Sequence, residues 1–162
     1  MRSLGTRTLA LAAALLLVAG GAIGWALAQG GTAPTAKREA LAATDKPEGA
    51  NGRTLGLSRV IVPAGAELAL HHHEGTQIAR IEHGTLTYTV HTGEVKVRKG
   101  DAEADPQFVH TIEAGETARI KSGQWIVEQP SDHHSARNAG DGKVVIYLAT
   151  LLRHGAPPST PG

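Results

Sequence analysis

From Leu55 to Leu152 apolar and polar residues alternate in short runs, and no stretch holds a helical period for a useful length. A period of two places successive side chains on opposite faces of an extended strand. The pattern predicts strands at Leu55–Val62, Glu67–His71, Gln77–Glu82, Leu86–His91 and Glu94–Arg98. It predicts five more at Val109–Glu113, Thr117–Ile120, Gln124–Glu128, His134–Asn138 and Lys143–Leu152. The runs are rich in Val, Ile and Thr, whose branched side chains suit a pleated surface. Turn signals separate them, among them Pro63-Ala64-Gly65, His83-Gly84, Thr92-Gly93 and Ser122-Gly123. Short strands at this spacing predict a sandwich or barrel. Asp101 to Pro106 reads as a polar loop without a function of its own.

The ends of the chain read differently. Arg2 and Arg7 flank an uncharged apolar run, Thr8 to Ala28, which closes on Ala26-Leu27-Ala28. Small residues at those places fit signal peptidase, so residues 1–28 are expected to be a signal peptide cut after Ala28. The run is also long enough to span a bilayer, and an uncleaved membrane anchor is the alternative. Either way the folded part is expected outside the cytoplasm, secreted or anchored facing outward. Residues 29–52 read as a flexible linker or arm, with a short helix at Arg38–Thr44. Residues 53–152 read as the domain, and 153–162, with three prolines, as a flexible tail. Trimming both ends is therefore expected to leave stability nearly unchanged.

Composition narrows the function. The chain has no Cys, which excludes a lipoprotein, thiol catalysis and disulfide support. It carries 16 Lys and Arg against 15 Asp and Glu. Loss of Arg2 and Arg7 with the leader leaves a near-neutral remainder, which gives no electrostatic case for nucleic acid or an anionic membrane surface. There is no nucleophile elbow, P-loop or dinucleotide fingerprint.

The chemistry-bearing residues are histidines. In His71-His72-His73, strand alternation turns His71 and His73 to one face and His72 to the other. Two imidazoles at that spacing can hold one metal ion. Gln77 follows His73 by four positions, and Gly84 follows Gln77 by seven. Much later Gly123 precedes His134 by eleven positions, and Asn138 lies four further on. His72 and His133 are expected at the surface, Asn138 is expected to fix a turn, and Trp125 to line a pocket or join the core. An exposed polyhistidine tract, or a metal-free pocket in which the histidines bond a ligand, are the plainer readings of the same residues.

Gly65, His71, His73, Gln77 and Gly84 fall on the first motif of the cupin superfamily, and Gly123, His134 and Asn138 on the second. The second motif's internal Pro and Gly are replaced by Gln129 and Ser131. The chain thus resembles a small single-domain cupin over about residues 53–152. The resemblance implies an all-β double-stranded β-helix, the cupin-type jelly-roll barrel, with a divalent metal ion at His71, His73, Gln77 and His134. Gln77 stands where the family usually has Glu, and an amide oxygen is the weaker ligand. Zinc, iron, manganese, copper and nickel all suit such donors. The implied function is metal-dependent small-molecule chemistry, such as dioxygenation or isomerisation. A non-catalytic module that holds a small molecule or a metal ion is the alternative. The resemblance also implies a homodimer paired through edge strands.

Overall fold

The alternating segments fold as strands because each has one apolar face to bury and a neighbour to complete its hydrogen bonds. The computed structural model describes residues 33–104 and 106–162. The expected leader and anchor, residues 1–28, lie outside the described residues. Twelve strands follow in order: β1 (Lys37–Asp45), β2 (Arg53–Val62), β3 (Glu67–His72), β4 (Gly75–His83), β5 (Thr85–Thr92) and β6 (Glu94–Lys99). The second half adds β7 (Gln107–Glu113), β8 (Thr117–Lys121), β9 (Gln124–Glu128), β10 (His133–Arg137), β11 (Val144–Arg153) and β12 (Thr160–Pro161).

All pairings are antiparallel, and they make two sheets. Seven strands run in the order β1-β2-β11-β4-β9-β6-β7, and five in the order β12-β3-β10-β5-β8. Strands distant in sequence lie side by side, as in a jelly-roll barrel. Buried Val62, Ile81, Val90, Ile112, Ile120 and Ile126 are among the residues that fill the space between the sheets. All ten expected strands are present within one or two residues at most ends. The β4–β5 turn depends on Gly84, whose φ is +83° and whose hypothetical Cβ would stand 2.9 Å from the Lys143 carbonyl oxygen.

One local expectation is corrected. Arg38–Thr44 is strand, not helix. Its Ala, Leu and Glu residues favour a helix in isolation, but β2 offers an open edge, and β1 pairs along it from Lys37↔Ile61 to Asp45↔Thr54. Backbone pairing outweighs the modest local propensity. β1 thus falls within the segment read as an arm, and β12 within the segment read as a tail, where it pairs with β3.

Candidate metal centre

Register assembles the histidines. Across β3 and β10, His134 is the partner of His71. His73 leaves β3 just before the chain turns into β4 and is buried, as is His134, while His71 is half-buried at the cavity wall. One ring nitrogen from each of the three lies within 4.8 Å of the others. The ring centroids stand 4.3 Å apart for His71 and His134, 5.0 Å for His71 and His73, and 5.3 Å for His73 and His134.

Each ring is held by its Nδ1. His71 donates to the Ala69 carbonyl at 2.7 Å, His73 to the Pro158 carbonyl at 2.8 Å, and His134 to the Asp132 carbonyl at 3.1 Å. A carbonyl can only accept, so the proton sits on Nδ1 and a neutral ring keeps its lone pair on Nε2. Burial lowers the pKa of all three below the ordinary histidine value, and this desolvation outweighs the opposing pull of the Glu128 charge. The cluster therefore presents three neutral nitrogen donors.

Gln77 and Glu128 complete the floor, and both are buried. They are partners across β4 and β9. Gln77 Nε2 donates to Glu128 Oε2 at 2.6 Å and to His73 Nε2 at 3.1 Å. Its amide oxygen is buried without a partner. Tyr88 donates its hydroxyl hydrogen to Glu128 Oε1 at 2.8 Å and stacks on the His134 ring at 5.1 Å. Burial, and then the Glu128 charge, push the Tyr88 phenol well above its ordinary pKa. Glu128 Oε2 lies 3.5 Å from His73 Nε2, and Oε1 lies 3.4 Å from His134 Nε2.

This donor set fits a divalent cation. The Nε2 atoms of His73 and His134 stand beside the two Glu128 carboxylate oxygens, so nitrogen and oxygen donors converge at one place. Two donors each about 2.1 Å from a tetrahedral ion lie about 3.4 Å apart, which matches the two imidazole–carboxylate separations.

Glu128 and Tyr88 are not among the residues that the sequence motifs single out. The signal was present in β9, where Gln124, Ile126 and Glu128 share one face. Ile126 is core, so an acid two positions on is a charge on an apolar face. Its place opposite Gln77 was not readable, because the two are 51 residues apart.

The other expectations resolve individually. His72 and His133 do not line the cavity; their rings stack with each other at 4.6 Å, half-buried rather than exposed. Asn138 is buried, donates to the Val62 and Gly142 carbonyls, and accepts from Gly140 N–H, so it ties the turn before β11 to β2. Trp125 neither lines the cavity nor joins the core. It is half-buried, donates to the Gly100 carbonyl, and has the Arg98 guanidinium 5.9 Å from its ring centroid. Asp132 takes over where the second motif lacks its Pro and Gly: its carboxylate accepts the Gln129 N–H at 2.7 Å and closes the turn that presents His134. That approach needs Gly93, because a Cβ there would stand 2.2 Å from Asp132 Oδ1.

The cluster opens into a cavity of about 500 Å³ with walls that include Ile81, Leu86, Ile126 and Leu148. Arg38 lines its exposed rim, on the strand position paired with inward-facing Val60. Pro158 and Pro161 also line it, so both ends of the described chain contribute to its walls.

No family model matches the chain, and no curated protein matches it. Solved structures do. A cupin 2 domain-containing protein from Halorhodospira halophila is 13% identical, with a TM-score of 0.50, over 79% of this chain and 70% of that one. L-ribose isomerase from Cellulomonas parahominis with L-psicose is 13% identical, with a TM-score of 0.56, over 77% of this chain and 68% of that one. At such identities the likeness is one of fold. The protein has the jelly-roll β-barrel fold of cupin-superfamily structures, with a histidine cluster compatible with a metal site.

Proposed function

We propose that this is an exported protein that holds one divalent metal ion at His71, His73 and His134, inside the barrel, and presents it to a small molecule in the adjoining cavity. The observation that carries the reading is the shared tautomer: three Nδ1–H groups are spent on backbone carbonyls, so each Nε2 is a lone-pair donor, the one on His73 accepting from the Gln77 amide until an ion takes that place. A bound zinc, iron, manganese, copper or nickel ion would supply Lewis acidity or, for the redox-active metals, oxygen activation. The protein's residues supply the rest. The apolar walls bind the body of the ligand and exclude water, and Arg38 at the rim meets an anionic group on it. Metal-dependent oxidation or isomerisation of a small, partly apolar anion fits these features.

A non-catalytic binding module is the second reading. It is favoured by the cavity walls, where among the described residues Arg38 and Glu67 are the charged groups beyond the cluster and its floor, and neither is hydrogen-bonded to a histidine. Elemental analysis of untagged protein from its own host, with ultraviolet–visible spectra, separates the two. Stoichiometric iron, copper or manganese is the outcome expected of an oxidative enzyme. A tightly held organic ligand without metal would sink the metal reading and leave the module.

A further inference from the structure

Glu128 is 3% exposed, and a carboxylate taken out of water is costly unless a positive charge compensates it. Its hydrogen-bond donors, Tyr88 and Gln77, are both neutral. Among the described residues no Lys or Arg lies within ion-pair distance of it, and the basic groups within that distance are His73 and His134. Gln77, at the position the motif frame gives to Glu, turns its amide nitrogen and not its oxygen toward His73 and Glu128. The assignment is forced at 2.6 Å, since an amide oxygen there would face another acceptor.

We propose that Glu128 is the anionic ligand of the centre, its carboxylate moved across the β4–β9 ladder from position 77 to the residue directly opposite. Gln77 is then a positioning residue: its amide, with the Tyr88 hydroxyl, orients the carboxylate toward His73 and His134. This inference rests on the metal reading above and deepens it. It restores to the site the one negative charge that Gln77 alone would have removed. Exchange across a ladder preserves the charge because partnered side chains on antiparallel strands lie on the same face with Cβ atoms about 4.5–5.5 Å apart.

Zinc titration of the full chain, untagged and freed of metal, tests it by calorimetry. Glu128→Gln is expected to weaken zinc binding by at least about tenfold. The exchange variant Gln77→Glu/Glu128→Gln, which keeps composition and volume, is expected to recover most of that loss. Glu128→Asp keeps the charge but shortens its reach, and is expected to weaken binding as well; it serves if Glu128→Gln fails to fold. Wild-type affinity in both Glu128 variants, while His134→Ala loses zinc, would overturn the proposal and leave the three-histidine site standing. An unchanged affinity in His71→Ala, His73→Ala and His134→Ala would overturn the metal reading itself. Cobalt(II) substitution gives a second readout: the visible spectrum is expected to change between wild type and Glu128→Gln, and identical spectra would count against direct ligation.

Discussion

At the scale of single residues, side-chain direction separates histidines that adjoin in sequence. His71 and His73 reach the cluster while His72 stacks on His133 away from it. His71→Ala, His73→Ala and His134→Ala are each expected to weaken zinc binding by an order of magnitude or more, since each removes one donor. His72→Ala and His133→Ala are expected to leave it within about twofold in the same titration; equal losses at His71 and His72 would mark a surface tract. The direction of the pKa shifts sets the pH dependence. The folded protein holds His71, His73 and His134 below their unfolded value of about 6.5, so the unfolded chain binds more protons in that range. Stability of the metal-free protein is therefore full above about pH 6.5 and falls as pH drops through the depressed folded values. Urea midpoints in chelator across a pH series check the sign, and a midpoint that rises on acidification through that window would refute it. Tyr88→Phe strips the Glu128 carboxylate of a buried donor and is expected to cost about 1–3 kcal/mol by urea unfolding.

At the scale of elements, the first and last strands of the described residues, β1 and β12, both join a sheet. β1 completes the open edge of β2, and Ala36 just before it packs against the core. β12 runs along β3, and Pro158 before it accepts the hydrogen bond that holds His73. Removal of residues 154–162 is expected to weaken zinc binding severalfold, because the His73 ring loses the partner that fixes its tautomer. Removal of residues up to 50 is expected to cost about 1–3 kcal/mol, since the backbone bonds of β1 are lost and only part of their net contribution returns as chain entropy. Thermal melts and calorimetry of the two truncations measure both. Retention of full stability and affinity in both would mean that these strands add nothing, as composition alone suggests.

At the scale of the whole molecule, the site spans the fold: His71, His73 and His134 come from the five-stranded sheet and the turn that follows β3, and Gln77 and Glu128 from the seven-stranded one. A metal ion held by residues of both sheets is expected to stabilise the native state alone. Zinc at 100 times its dissociation constant is expected to add about 2.7 kcal/mol and to raise the melting temperature, and chelator is expected to reverse the shift. A melting temperature indifferent to zinc would argue against a site built on the folded barrel. The all-β class, ten of the strands and the three histidines were legible in sequence because each rests on a local period of two or on a short spacing. The strand at Lys37–Asp45 was not, because its residues favour a helix until the edge of β2 is beside them. Glu128 was legible only as an acid on an apolar face; its place opposite Gln77 was decided by a ladder that joins residues 51 apart in the chain. Sequence by itself determined which residues face inward, since alternation is a property of each strand alone. Only the tertiary structure decided which inward residues meet, since pairing between distant strands is set by the packing of all of them together.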